Sequence, residues 1–252
     1  MNDPIDLSVP WLEPYREAAA TGGASFGTLL WKSEEFQRMR FRVMGEMLDF
    51  TGRVVIDCGC GRADLLVYLA SKGIDYRAYV GVDALPVMVE HCQNRIQKQG
   101  LLRARAILGD FVSGAGGGGA SGGGAGEGGG GGAFATYIRD LGAGTHALGG
   151  GGEIFVFSGS LNTLDQVMAL RVLERAWSAL VPGGQGEGRP GAGMIFNFLS
   201  GACGRKWTGV DTGPAKRFDP RVLMDFALSR SSKVSFRQDY LDGHDATILM
   251  LT

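Results

Sequence analysis

From Arg53 onwards, short apolar segments alternate with segments of helical periodicity, and this alternation constrains the fold more than any other feature. The apolar run RVVID is followed by the helical segment LLVYLASKG, and AYVGVD is followed by PVMVEHCQNRIQKQG. Alternating strands and helices predict a parallel, doubly wound sheet with helices on both faces. The last two predicted strands, 232–237 and 246–251, are joined by a turn without a helix. We therefore expect an α/β fold with a seven-stranded mixed sheet whose last strand is antiparallel.

The segment before this alternation reads as helical. Pro14–Ala20 is one candidate helix, and a second begins at Ser33, a residue type that caps helix N-termini. Apolar residues then recur at helical spacing on one face: Phe36, Met39, Val43, Met47 and Phe50. We expect residues 1–50 to form an N-terminal helical cap and residues 51–252 to form the main domain.

Glycine is the compositional anomaly, with 43 residues in a chain of 252. In the segment 113–133, 14 of 21 residues are Gly. Such a segment has too few apolar side chains to offset its chain entropy, so we expect a disordered surface insertion. A substrate lid is the alternative, and the near-absence of side chains that could recognise a ligand disfavours it.

Charge and cysteine content exclude several classes of function. Lys and Arg total 25 and Asp and Glu total 26, so no basic excess is available to neutralise a nucleic acid. The four cysteines include no CxxC pair, which argues against a disulfide framework and against a metal site. The chain shows neither a signal-peptide pattern nor an apolar run long enough to cross a membrane. We expect a cytoplasmic protein without a membrane partner, and the sequence does not indicate an oligomeric state.

The turn after the first predicted strand, DCGCGRAD at 57–64, lies where doubly wound sheets bind ligands. Gly59 and Gly61 allow a tight turn and a close approach of the backbone to a ligand. A dinucleotide fingerprint would require a third glycine at position 64, where Asp64 stands. Asp57 and Asp64 would also repel a pyrophosphate at this helix N-terminus. The turn therefore disfavours a nucleotide-dependent oxidoreductase, which remains an alternative.

The ends of the next strands suit a nucleoside. Asp83 ends the second strand, and a carboxylate there can accept hydrogen bonds from both ribose hydroxyls. Asp110 and Phe111 follow the third strand, where a carboxylate can accept from an exocyclic amine and a ring can pack on a base. The fourth strand ends in the small, polar pair Ser158 and Gly159.

These motifs resemble those of the class I S-adenosylmethionine-dependent methyltransferases: DCGCGRAD, then VGVD, then GDF, then a polar end of strand four. The segments WKSEEFQRMRF, FVFSGSLN, MIFNFLS and FRQDYLDGHDATILML are similar to those of a group of small stand-alone bacterial methyltransferases. The resemblance covers residues 25–252 apart from the glycine-rich insertions. It implies a Rossmann-like fold and S-adenosylmethionine as cofactor.

The resemblance also implies ten cofactor-binding residues: Arg40, Asp57, Gly59, Gly61, Asp83, Leu85, Asp110, Phe111, Ser158 and Gly159. Asp57, Gly59 and Gly61 in the first turn are implied to approach the methionine part. Asp83 is implied to bind the ribose, with Leu85 against the adenosine. Asp110 and Phe111 are implied to hold the adenine. Those after strand four are implied to border the methyl group. Arg40, or Gln37 on the same helix face, is implied to reach the methionine carboxylate.

The predicted activity is methyl transfer to a small-molecule acceptor. Because a sulfonium methyl group is already activated, the protein need mainly position the acceptor and exclude water, so no catalytic residue is predicted. A nucleoside-binding regulatory protein without turnover is the alternative. Three polar residues are left with two interpretations each, a turn or cap role and a role beside the substrate: Asn162, Asn197 and His244.

Overall fold

The computed structural model describes residues 5–113, 152–181 and 190–252. The disordered insertion predicted at 113–133 lies, from residue 114 onwards, outside the described residues. Within the described part the strands are β1 Val54–Cys58, β2 Ala78–Asp83, β3 Ala104–Leu108, β4 Glu153–Ser158, β5 Gly193–Ser200, β6 Arg217–Phe218, β7 Lys233–Arg237 and β8 Asp245–Leu251.

The strands form one mixed sheet in the order β3-β2-β1-β4-β5-β8-β7, and the two-residue β6 pairs with β5 outside this path. Strands β1 to β5 are mutually parallel where they pair, whereas β8 is antiparallel to both β5 and β7. The predicted Rossmann-like sheet with an antiparallel last strand is thus confirmed, with β6 as an addition. The strand order reverses between β1 and β4, and such a switch point is where doubly wound sheets bind ligands.

The helices in the described part are α1 Glu13–Gly22, α2 Glu34–Met47, α3 Asp64–Ser71, α4 Pro86–Lys98, α5 Gln166–Leu180 and α6 Pro220–Leu228. Short 3₁₀ turns lie at Gly27–Leu29, Arg205–Trp207 and Leu241–Gly243. The predicted cap of α2 is confirmed, since the backbone N–H of Phe36 donates to the Ser33 hydroxyl over 3.3 Å. None of these helices is long and apolar enough to cross a membrane.

Helices cover both faces of the sheet, and alternate strand residues pack against them. In β4, Phe155 and Phe157 belong to the core shared with α5 and α6. Ile154 and Val156 point the other way, into the core shared with α2, α3 and α4. Because the central strands are buried on both faces, they read in sequence as continuous apolar runs.

The N-terminal segment packs at the carboxyl end of the sheet. Leu12 forms a small apolar cluster with Leu85 and Met88, which follow β2. Phe41 and Met44 of α2 are part of the core that lies against the sheet. The boundary predicted at residue 50 stays a prediction, and this packing places the N-terminal segment against the candidate site.

Candidate active site

The turn after β1 requires glycine at two positions. Gly59 has φ +79°, and a Cβ there would lie 2.5 Å from the Cβ of Ser160. Gly61 has φ +50°, and a Cβ there would lie 2.5 Å from Cδ2 of Leu29. The N–H of Gly59 donates to the carbonyl of Val82 over 2.8 Å, which joins the turn to β2. This hydrogen bond holds the turn against β2. The side chains of Ser160 and Leu29 pack directly on the backbone of Gly59 and Gly61, where a Cβ atom would clash.

Asp83, at the end of β2, is oriented by backbone donors. Gly61 N–H donates to Oδ2 over 2.9 Å, and Leu85 N–H donates to Oδ1 over 3.0 Å. Burial raises the pKa of the Asp83 carboxyl above its ordinary value, against the opposing effect of these donors. Each carboxylate oxygen can still accept a further hydrogen bond, so a ligand with two hydroxyl groups would find two acceptors here.

A cavity of about 570 Å³, the first cavity, opens beside this turn. Seven of the ten predicted cofactor residues line it: Gly59, Gly61, Asp83, Leu85, Phe111, Ser158 and Gly159. The structure adds wall residues that the sequence did not indicate, chiefly Trp11, Leu12, Tyr15 and Met88. Trp11 lies in the turn before α1 and Tyr15 in the first turn of this helix, and the spacing of four residues between the two aromatic residues is the one local signal that could have revealed them.

The lining of the first cavity fits a nucleoside. Trp11, Met88 and Phe111 make one part apolar, as a base requires. The hydroxyl oxygens of Ser158 and Ser160 are buried and have no hydrogen-bond partner among the residues that the structure describes. Buried polar atoms are normally paired, so these two oxygens are free to bind polar groups of a ligand.

Two predicted residues lie beside the first cavity without lining it. Asp57 is buried and accepts a hydrogen bond of 2.6 Å from the hydroxyl of Tyr79. Burial raises the pKa of Asp57 to about 7. Asp110 accepts from Val112 N–H over 2.7 Å and from the hydroxyl of Ser113, so its carboxylate holds the turn after β3. Their predicted contacts with the cofactor stay predictions.

Asp64 also lies away from the first cavity. Arg95 forms an ion pair with its carboxylate, and Arg62 lies 3.9 Å away. Because Asp64 is paired and burial raises the pKa of Asp57 to about 7, the expected repulsion of a pyrophosphate by two carboxylates is weakened. Leu29 disfavours a pyrophosphate for a different reason. Its apolar side chain covers Gly61, where a phosphate would have to reach the backbone.

A second cavity, of about 890 Å³, adjoins the first. The two cavities share four wall residues: Tyr15, Leu29, Trp31 and Gly159. Gly159 has φ +75°, and a Cβ there would lie 2.8 Å from the ring of Trp31. Asn197 in β5 fixes this point, since Gly159 N–H donates to its Oδ1 over 2.8 Å.

The outer wall of the second cavity comes from the segment 201–216, which follows β5. Lys216 N–H donates to the carbonyl of Asn162 over 2.7 Å, and the indole N–H of Trp207 donates to the carbonyl of Leu241 over 2.9 Å. These bonds hold Trp207 over the cavity that it lines.

A buried polar chain connects α2 with the start of β8 at the second cavity. Arg40 donates from Nε to Oδ1 of Asp245 over 2.8 Å, and Oδ2 of Asp245 lies 2.8 Å from Nδ1 of His244. Arg40 also stacks 4.1 Å from the ring of Trp31. The structure thus places Arg40 at the second cavity, paired with a carboxylate, and its predicted contact with a methionine carboxylate stays a prediction.

The comparison with family models gives the decisive observation. A family described as "Methyltransferase domain" matches residues 55–115, from β1 through the turn after β3. This part of the chain is therefore similar to a methyltransferase domain. The matched segment contains the turn of Gly59 and Gly61, Asp83 at the end of β2, and Phe111, which together line the first cavity.

Solved structures share the fold of this chain at low sequence identity. A SAM-dependent methyltransferase from Leishmania major is 12% identical, with a TM-score of 0.58, 100% of this chain covered and 87% of the other. Magnesium protoporphyrin IX methyltransferase from Synechocystis PCC 6803, with bound SAH, is 13% identical, with a TM-score of 0.50 and coverages of 97% and 95%. An O-methyltransferase from neocarzinostatin biosynthesis, in complex with SAH and 1,4-dihydroxy-2-naphthoic acid, is 17% identical, with a TM-score of 0.50 and coverages of 96% and 68%. A search of curated protein sequences gave no match.

Proposed function

We propose that this chain transfers the methyl group of S-adenosylmethionine to a small-molecule acceptor, with the donor in the first cavity and the acceptor in the second. The observation that carries the proposal is the wall that the two cavities share at Tyr15, Leu29, Trp31 and Gly159. A methyl group at this wall would face both cavities, as direct transfer between two bound molecules requires.

In this proposal the first cavity binds the nucleoside from three sides. The Asp83 carboxylate accepts from the ribose hydroxyls, while Trp11, Met88 and Phe111 pack against the base. The unpartnered hydroxyls of Ser158 and Ser160 bind polar groups of the methionine part. Asp57 and Asp110 contribute by holding the turns behind the cavity.

When bound, S-adenosylmethionine supplies a methyl group activated by the positive charge on sulfur. The protein then has to hold the acceptor at a short distance and in line with the bond that breaks, and this positioning accounts for much of the rate. Trp31 and Tyr15 line the shared wall and exclude water from the transfer point.

The lining of the second cavity and the net charge of the chain favour a small molecule. Apolar and aromatic side chains, among them Trp31, Leu199 and Trp207, line the cavity beside a few polar groups, as is typical of small-molecule sites. The net charge of −1 offers no basic excess for a polyanion. Two of the methyltransferases of similar fold are named for a small-molecule acceptor or contain a small hydroxylated compound.

The test is a methyl-transfer assay with S-adenosylmethionine carrying a labelled methyl group. The purified protein is incubated separately with the metabolite, nucleic-acid and protein fractions of a bacterial extract. We expect S-adenosylhomocysteine and label only with the metabolite fraction, and less of both with the Asp83→Ala variant at a limiting concentration of S-adenosylmethionine. Label in nucleic acid or protein would contradict the small-molecule acceptor. Cofactor binding without turnover in any fraction would favour the regulatory alternative.

A further inference from the structure

The proposed function, on which this inference rests, leaves one question open: how an acceptor loses its proton. The imidazole of His244 lines the second cavity, and its Nδ1 atom has a defined hydrogen-bond partner, the carboxylate of Asp245. Asp245 is 0% exposed, and its two oxygens are bound by different groups, Oδ1 by Arg40 and Oδ2 by Nδ1 of His244.

The partners of Asp245 determine which nitrogen of His244 carries the proton. An ionised carboxylate only accepts hydrogen bonds, so Nδ1 must be the donor in the bond of 2.8 Å. In the neutral imidazole, Nε2 is then the acceptor. Nε2 has no hydrogen-bond partner in the part of the chain that the structure describes, and His244 lines the second cavity.

Packing fixes the plane of the ring. Trp207 contacts the His244 ring edge-on, with ring centroids 4.4 Å apart, and Phe36 does so at 5.8 Å. Phe36 and Trp207 also contact each other, with ring centroids 5.9 Å apart, so the three rings form one cluster. The orientation set by the carboxylate is therefore reinforced by apolar neighbours.

The other ionisable groups facing His244 come from several elements. The second cavity is lined, besides Arg40, by Tyr15 of α1, by Lys32 before α2 and by Asp211 in the segment after β5. Beyond the cavity lining, Tyr240 lies beside Asp245. Among the described residues, none of these side chains is hydrogen-bonded to Nε2 of His244.

We propose that His244 is the general base of the methyl transfer, that Asp245 and Arg40 are positioning residues, and that the acceptor is an aromatic hydroxyl compound. The acceptor O–H bond breaks and its proton moves to Nε2. The acceptor oxygen forms a bond to the methyl carbon as the sulfur–methyl bond breaks, and that electron pair stays on sulfur. The imidazolium afterwards releases the proton to solvent.

The aromatic hydroxyl class follows from the walls and from acidity. Trp31 and Trp207 line the cavity, and their indole side chains give it aromatic walls against which a planar acceptor can pack. A phenol ionises near pH 10, as the tyrosine side chain does, whereas water ionises near pH 15.7. A single imidazole can therefore assist ionisation of a phenol far better than that of an aliphatic alcohol.

The first test reads the tautomer without any turnover. Nitrogen-15 NMR of the protein saturated with S-adenosylhomocysteine distinguishes a protonated from an unprotonated imidazole nitrogen, and the chain contains only two other histidines, His91 and His146. We expect His244 to be protonated at Nδ1 and unprotonated at Nε2. In Asp245→Asn, Arg40 holds the amide oxygen, so the amide N–H groups face Nδ1 and the tautomer reverses. A proton on Nε2 in the unmodified protein would overturn the proposal.

The second test uses two acceptors of different acidity, phenol and 4-nitrophenol, in single-turnover reactions with S-adenosylmethionine. We expect His244→Asn to lower the rate with phenol by about 10²–10⁴-fold. The same variant should lower the rate with 4-nitrophenol much less, because this acceptor ionises near neutral pH without a base. His91→Asn, on α4 and outside both cavities, is the matched control and should match the unmodified protein.

The outcomes separate this inference from the proposed function. Equal losses with both acceptors would show that His244 has only a structural role and would overturn the proposal. Binding of S-adenosylhomocysteine without methylation of either phenol would overturn the acceptor class. Failure to bind S-adenosylhomocysteine at all, measured by calorimetry, would instead contradict the proposed function.

Discussion

At the scale of single residues, two carboxylates on neighbouring strands have different environments. Asp83 is held by two backbone donors and lines the first cavity, so it remains available to a ligand. Asp57 is buried against the hydroxyl of Tyr79, and burial raises its pKa to about 7. We therefore expect substitution of Asp83 to change cofactor affinity and substitution of Asp57 to change the pH dependence of stability.

Asp83→Ala should weaken binding of S-adenosylmethionine by about 1.5–3 kcal/mol, the scale of hydrogen bonds to a charged group. Isothermal titration calorimetry measures this difference, and thermal unfolding of the variant checks that it is folded. Asp75→Ala is the control, because Asp75 is 75% exposed and lies outside the first cavity. Unchanged affinity in a folded Asp83→Ala variant would remove Asp83 from the site.

Asp57→Asn should abolish one component of the pH dependence of stability. In the unfolded chain an aspartate titrates near pH 3.9, and in the folded protein Asp57 titrates at about pH 7. The folded state thus binds this proton more tightly, so its stabilising effect is complete below about pH 4 and is lost as the pH rises to about 7. The asparagine keeps an acceptor for Tyr79 and has no such proton.

Urea unfolding of both proteins at pH 4 and pH 8 measures the effect. The free energy of unfolding of the unmodified protein should fall relative to that of Asp57→Asn by an amount on the order of 4 kcal/mol over this range. If the two proteins change in parallel, the pKa of Asp57 is not raised and the assignment is wrong.

At the scale of elements, the site depends on two turns that touch each other. The turn after β1 meets the turn after β4 where Gly59 faces Ser160. Because Gly59 has no side chain, the backbone after β1 can lie directly against Ser160, which follows β4. The wall of the first cavity is built from both turns.

Gly59→Ala tests this contact. The added methyl group would lie 2.5 Å from Cβ of Ser160, at a φ of +79°. Gly73→Ala is the matched control, because Gly73 has φ +66° and nothing lies within 4 Å of its hypothetical Cβ. We expect the control to lose about 1–2 kcal/mol of stability from backbone strain alone and to keep its cofactor affinity.

Gly59→Ala should lose more stability than the control and should lose cofactor binding, as measured by urea unfolding and calorimetry. If Gly59→Ala and Gly73→Ala lost equal stability and bound the cofactor equally well, the two turns would be able to move apart without affecting stability or cofactor binding. In that case the contact would not shape the cavity.

Local sequence signals predicted the elements well because each depends on residues close together in the chain. The alternation of apolar runs and helices predicted the sheet, and Ser33 marked the start of α2. The boundaries differed slightly: the helix predicted at Pro14–Ala20 spans Glu13–Gly22 in the structure. The pair Arg40 and Asp245 is separated by 205 residues and had no local signal.

At the scale of the whole molecule, the N-terminal segment and the segment after β5 meet over one end of the sheet and complete the two cavities. Tyr15 and Trp31 come from the first, and Trp207 comes from the second. The motif at 57–64 indicated where the first cavity lies, but the walls of this cavity depend on how distant segments pack. For this reason the first cavity could be largely predicted, whereas most of the second could not.

The glycine-rich segment outside the described residues carries a prediction from the sequence. Replacement of residues 114–132 by a four-residue Gly/Ser linker should change the free energy of unfolding by less than about 1 kcal/mol, because loop-closure entropy depends weakly on length. Cofactor affinity should stay within about twofold, as measured by calorimetry beside the unmodified protein. A large loss of either would show that this segment contributes to the fold or to the site.

Thermal-shift titration of the unmodified protein with S-adenosylmethionine, S-adenosylhomocysteine, NAD and NADP tests the central claim most directly. The first cavity offers a carboxylate for a ribose and an apolar slot for a base, while Leu29 blocks a phosphate from Gly61. Both sulfur nucleosides should stabilise the fold, by about 2.7 kcal/mol at a concentration 100 times their dissociation constant. NAD and NADP should leave the unfolding temperature unchanged. Stabilisation by NAD, with none from either sulfur nucleoside, would contradict the assignment of the cavity to S-adenosylmethionine.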